Sequence, residues 1–115
     1  VIKKAREIYK DNNLLKITND PHKAVLGANV LYTDVWSSMG EENLKENKDK
    51  DFNGFTIDKN LVNKANKDVI ILHCLPAYRS KEITDEVIDC SKSRIFDQAE
   101  NRMHAQQALL ACLLS

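Results

Sequence analysis

The sequence predicts an α/β domain: a doubly wound, mostly parallel sheet flanked by helices in three layers. Three observations carry this. Short aliphatic and β-branched runs, above all Val69-Ile70-Ile71-Leu72, suit strands covered on both faces, as in parallel sheets. Helical patterns alternate with these runs, which calls for right-handed crossovers. The chain has 115 residues, about one domain's worth, and shows no internal repeat or linker.

The elements follow in order. Val1, Ile2, Ala5, Ile8 and Tyr9 share one helical face, and Asp11-Asn12-Asn13 break that helix after Lys10. Leu14 to Thr18 reads as a strand. Asp20 is placed to cap a helix and Pro21 suits its first turn; the helix runs from His22 to Leu26 and Gly27 ends it. Asn29 to Thr33 is the next strand and delivers Asp34 at its carboxyl end. Val35 to Phe52 contains a polar tract read as a solvated helix or mobile loop. Phe55 to Ile57 is a small strand. Asp58 caps a helix from Lys59 to Asn66, with Leu61, Val62 and Ala65 inward. Val69 to His73 is the central strand. A short helix runs from Thr84 through Ile88, Arg94 to Phe96 is a last strand, and a long helix spans Ala99 to Leu114. That helix is apolar at Met103, Ala108, Leu109, Ala111, Cys112 and Leu113. The order is Rossmann-like.

Bulk properties narrow the function. Hydrophobic content of 43% with 30% charged residues is ordinary for a soluble globular protein. With 17 basic and 17 acidic residues the formal charge is zero, so nothing global draws nucleic acid or an anionic membrane. No apolar run approaches the roughly 20 residues that span a bilayer. Cys74, Cys90 and Cys112 form no Cys-x-x-Cys pair, which argues against a disulfide framework or zinc site and favours a reducing compartment. There is no Gly-rich phosphate loop. The chain starts inside a structural element on this reading, and a piece of a longer protein is expected.

Three places can hold chemistry. Asp34, with Ser38, Met39 and Gly40 after it, sits where open α/β sheets bind ligands. Its carboxylate either binds an ammonium group or caps the following helix. His73-Cys74-Leu75-Pro76 ends the central strand. Its thiol either contacts a substrate, attacks as a nucleophile, or is a small buried hydrophobe. Glu100-Asn101-Arg102 lies at the expected start of the last helix, where Arg102 either grips phosphate or carboxylate or forms a surface ion pair. His22 and His104 lack metal-ligand companions, and Cys90, Cys112 and Trp36 are expected to pack. Arg79 and Lys81 are read as solvated turn charges.

In combination and in this order, Asp34-Val35-Trp36-Ser37-Ser38-Met39-Gly40, His73-Cys74-Leu75-Pro76 and Glu100-Asn101-Arg102 resemble the ornithine carbamoyltransferase family. The likeness runs along essentially the whole chain and covers most of that family's ornithine-binding domain. It implies transfer of a carbamoyl group from carbamoyl phosphate to the δ-amine of L-ornithine, giving L-citrulline and phosphate. It implies that Asp34 holds the α-ammonium and that Ser38 and Met39 belong to a loop closing over ornithine. Cys74 and Leu75 then line the reacting centre between ornithine and carbamoyl phosphate, and Arg102 contacts carbamoyl phosphate. Cys74 and Arg102 are thus the candidate catalytic residues. No metal or cofactor is implied. The resemblance further implies a trimer-based homo-oligomer in the cytoplasm, or in the mitochondrial matrix of a eukaryote. The family's Ser-Thr-Arg-Thr and His-Pro-x-Gln motifs are missing here, so the carbamoyl-phosphate domain is expected to lie outside this chain. The alternatives are a non-catalytic amino-acid-binding or structural fragment, or a carbamoyltransferase for a related amine.

Overall fold

The computed structural model describes residues 1–9, 14–37 and 45–115, with backbone alone for 45–47. Among them the order is α1 (Ile2–Ile8), α2 (Pro21–Ala24), β1 (Val30–Thr33), α3 (Lys45–Asp51), α4 (Lys59–Val62), β2 (Ile70–His73), α5 (Asp85–Ile88) and α6 (Ile95–Leu114). The protein is a mixed α/β structure around a small parallel sheet.

β1 and β2 pair in parallel, with Val30 opposite Ile70 and Thr33 opposite His73. Alternation along β2 is clear. Val69, Ile71 and His73 are buried at 1%, 0% and 1%, whereas Ile70 and Leu72 are only half-buried. Leu31, opposite Ile71, joins the buried face, while Val30 and Tyr32 lie exposed on the other. The apolar run of β2 therefore signals a strand covered fully on one face among the described residues. Ile71 and Ile95, both 0% exposed, centre a core completed by Val25, Ile57, Leu61, Val62, Ile83, Val87 and Ile88.

The sequence expected more strands. Leu14 to Thr18 carries no strand assignment. Of Phe55 to Ile57, Ile57 alone bridges, to Ile83: its N–H donates to the Glu82 carbonyl at 2.9 Å and its own carbonyl accepts from Thr84 N–H at 3.1 Å. Beside β2, Ile71 N–H donates to the Lys92 carbonyl at 3.1 Å and Arg94 N–H donates to the Ile71 carbonyl at 2.9 Å. That single bridge replaces the last strand expected at Arg94 to Phe96. Ile95 instead starts α6, four residues before the predicted Ala99. The apolar Ile-Phe pair reads locally as strand, but Asp97 in the first turn complements the helix dipole and Ile95 is the residue α6 buries.

The capping predictions fare better. Asp20 accepts from the N–H groups of His22 at 3.0 Å and Lys23 at 3.2 Å. Asp58 accepts from Leu61 N–H at 2.7 Å. Gly27 follows α2 at φ +73°, a conformation other residues adopt at a cost. Both helices are shorter than expected, ending at Ala24 and Val62. α1 buries nothing, and α6 leaves Met103, Leu109, Leu110, Leu113 and Leu114 exposed. Cys112, expected to pack, is exposed as well, while Cys90 packs against the core. The radius of gyration, 16.6 Å, exceeds the ~13 Å of a compact chain of this length for that reason. Among the described residues no helix is long and apolar enough to cross a membrane.

Candidate active site at the carboxyl ends of the parallel strands

Register builds the site. Thr33 pairs with His73, so the next residue of each strand, Asp34 and Cys74, leaves the sheet side by side. Both fall on the open face, two positions beyond Tyr32 and Leu72. The Cys74 thiol donates to Asp34 Oδ1 at 2.9 Å. The same oxygen accepts Val35 N–H at 2.7 Å. Among the described residues Asp34 caps no helix; it fixes the turn and takes up the thiol through one oxygen. Oδ2 carries no hydrogen bond to a described residue.

Electrostatics follow from that contact. The Cys74 thiol donor, then Val35 N–H, hold the Asp34 carboxyl below its ordinary range. Burial, then the bond to Asp34, push the Cys74 thiol up, while the Tyr32 hydroxyl pulls the other way. A thiol held protonated beside a carboxylate is a poor nucleophile and a good positioning group. Gln98 of α6 joins this cluster. Its Nε2 donates to the Tyr32 hydroxyl at 3.3 Å and its Oε1 accepts His73 N–H at 3.1 Å.

The loop after Cys74 turns sharply. Leu75 has φ +52°, which costs a branched residue about 1–3 kcal/mol, and the Leu75–Pro76 bond is cis. Leu75 N–H donates to His73 Nδ1 at 2.8 Å. His73 Nε2 therefore carries the ring proton, and it donates to Glu82 Oε1 at 3.1 Å. Tyr78 N–H donates to the same Glu82 oxygen at 2.6 Å. From sequence His73 stands in the candidate motif but is given no role, and Glu82 is not singled out. The available signal was the alternation of β2, which turns His73 inward beside Ile71, where an imidazole needs a partner.

The structure brings Asp34, Cys74 and Leu75 together. Ser38 and Met39, with Gly40, lie outside the described residues. Arg102 stands exposed within α6, joined to neither Asp34 nor Cys74 by a hydrogen bond or ion pair. Because α6 starts at Ile95, Arg102 is well past the first-turn N–H groups that favour an anion, and its candidacy rests on its guanidinium alone. Trp36 stacks on Phe52 at 5.8 Å between centroids. Arg79 is paired, to Asp85 at 2.8 Å and to Asp89 at 2.7 and 3.1 Å, and Lys81 reaches Asp49 at 2.6 Å. Among the described residues no group of three His, Cys, Asp or Glu side chains could hold a metal ion.

A carboxylate and a thiol thus meet at the carboxyl ends of parallel strands, where α/β domains with open sheets bind their ligands. Residues 1–113 match the family described as aspartate/ornithine carbamoyltransferase, Asp/Orn binding domain, and the chain belongs to that family. It is 80% identical over 114 residues to an ornithine carbamoyltransferase of Prochlorococcus marinus subsp. pastoris, covering 99% of this chain and 37% of that protein. The crystal structure of ornithine carbamoyltransferase from Thermus thermophilus aligns with a TM-score of 0.79 at 40% identity, over 95% of this chain and 35% of that one. An N-acetyl-L-ornithine transcarbamylase structure aligns with a TM-score of 0.77 at 29% identity, over 97% of this chain and 35% of that one. The chain spans little more than a third of the length of these relatives.

Proposed function

We propose that this chain is most of the ornithine-binding half of an ornithine carbamoyltransferase. The whole protein then transfers the carbamoyl group of carbamoyl phosphate to the δ-amine of L-ornithine, releasing L-citrulline and phosphate. The observation that carries this reading is the Asp34–Cys74 contact at 2.9 Å, with Oδ2 of the carboxylate bonded to none of the described residues. The 80% identity to a protein of that name supports it.

The amine must attack as the neutral form, since an ammonium has no lone pair. The α-ammonium is held at Asp34 Oδ2, which selects an amino acid over a simple amine. Cys74 sits beside that carboxylate as a protonated thiol and positions the δ-amine; no acyl-enzyme forms. Cys74 and Leu75 border the carbamoyl group. Ser38 and Met39 complete the ornithine pocket, and Arg102 offsets charge on carbamoyl phosphate as the tetrahedral centre forms. Orientation of two substrates supplies much of the acceleration, within the roughly 7–11 kcal/mol attributed to proximity.

A separate domain binds most of the carbamoyl phosphate, and the whole protein is a trimer-based homo-oligomer of the cytoplasm. In it the two-stranded sheet extends into a doubly wound, Rossmann-like one. The exposed apolar side chains of α6 support a covering domain.

The test is amine-dependent release of phosphate from carbamoyl phosphate by the full-length protein, with ornithine, N-acetylornithine and putrescine offered separately and the ureido product of each identified by mass. Ornithine should be used far better than the other two, and Cys74→Ala should lower turnover strongly. Preference for N-acetylornithine or putrescine would reassign the substrate, and full activity of Cys74→Ala would remove the thiol from the mechanism. A Trp36 fluorescence titration of the 115-residue chain with ornithine separates a binding module from an inert fragment.

A further inference from the structure

We propose that His73 and Glu82 are positioning residues for the reaction, setting the place of Cys74 and Leu75 without touching substrate; this rests on the function proposed above. The two side chains are fully buried, at 0% each, beneath a site that opens on the opposite face of the sheet. Strand alternation separates the roles. His73 turns into the core, and Cys74, one residue on, turns out to Asp34.

Every polar atom of His73 that can reach the loop is used. Its main-chain N–H is held by Gln98, its Nδ1 receives the Leu75 amide at 2.8 Å, and its Nε2 is anchored on Glu82 at 3.1 Å. Glu82 Oε1 also receives Tyr78 N–H at 2.6 Å. One carboxylate oxygen therefore ties both ends of the segment from His73 to Glu82, and the imidazole passes that tie to the amide of Leu75. Leu75 is at positive φ, as is Ser80 further along the segment, and there the main chain would otherwise relax. Burial keeps water from the His73–Glu82 bond, and the other three are part-buried. The second oxygen, Oε2, is buried without a hydrogen-bond partner among the described residues. An unpaired buried oxygen costs stability, so what accounts for a carboxylate here is the pair of donors that its other oxygen holds.

Geometry and charge can be told apart by substitution in the full-length enzyme. Glu82→Gln presents an amide oxygen to both donors and puts its NH₂ where Oε2 already lacks a partner. Glu82→Ala removes both bonds. His73→Phe keeps the ring's bulk and loses both nitrogens. Misplacing a reacting group by about 1 Å costs up to ~10²-fold, so Glu82→Ala and His73→Phe should lose kcat on that scale per folded site. Their KM for carbamoyl phosphate should hold, and iodoacetamide should alkylate Cys74 at an altered rate. Glu82→Gln should stay close to wild type in all three. Wild-type kcat in Glu82→Ala or His73→Phe would overturn the proposal, as would a Glu82→Gln enzyme that folds but is as impaired as Glu82→Ala. If Glu82→Ala fails to fold, the other two variants decide. If wild-type protein makes no citrulline, the proposed function fails instead, and the Cys74 alkylation rates still test the positioning role.

Discussion

Replacing Asp34 by Asn separates the carboxylate's structural work from its binding work. Both of its bonds to described residues fall on Oδ1, from Cys74 at 2.9 Å and Val35 N–H at 2.7 Å. An asparagine can present its carbonyl oxygen at that position and keep both donors. Its NH₂ then occupies the place of Oδ2 and cannot accept an ammonium. The fold should survive and the ornithine contact should not. A charge-assisted hydrogen bond contributes about 1.5–3 kcal/mol. At 1.4 kcal/mol per tenfold, that is a rise in the KM for ornithine of roughly ten- to a hundredfold. The lower end applies if the site stays wet, since exposed ion pairs are weak. The assay is steady-state citrulline formation by the full-length enzyme, with each substrate varied in turn. The KM for carbamoyl phosphate should stay near wild type. Equal losses for both substrates, or an unchanged KM for ornithine, would refute the assignment of Asp34.

Other consequences are as direct. Arg102→Ala should raise the KM for carbamoyl phosphate about tenfold or more while sparing ornithine, since it removes a charged donor; an unchanged carbamoyl phosphate KM would exclude Arg102 from that site. Alkylation of Cys74 by iodoacetamide should set in at higher pH than for an ordinary thiol, because burial and then Asp34 disfavour its thiolate. Asp34→Asn removes the carboxylate's share, so its profile should move to lower pH, and coincident profiles would contradict that cause. Ile71→Ala, at a position 0% exposed in the centre of β2, should cost about 2–5 kcal/mol in urea denaturation. A loss well under that range would mean the core closes over the missing side chain.

The parts of this fold legible in sequence are those set locally. Asp20 and Asp58 announce their caps because a short acceptor just before a helix has one evident use. The strands ending at Thr33 and His73 were legible because four apolar or β-branched residues in a row need a sheet. Leu14 to Thr18 and Phe55 to Ile57 have the same local character but no full ladder among the described residues. Pairing is a property of the partner, which local composition does not carry. Ile95-Phe96 misled for a related reason: burial of Ile95 against β2 is a tertiary fact, and it decides where α6 begins. In the site, Asp34 and Cys74 were found by position at strand ends. His73 stood in the motif without a role and Glu82 was passed over, because the bond that joins them spans nine positions along the chain.

The parallel register of β1 and β2 bears on how these segments can change over evolutionary time. Asp34 meets Cys74 because the two strands run in step from Val30 and Ile70 onward. Substitutions along Val30 to Thr33 alter packing and leave that meeting in place. A one-residue insertion or deletion there would carry the carboxylate to the opposite side of the sheet, away from the thiol. Length between Asn29 and Asp34, more than identity, is what a lineage keeping this chemistry must preserve.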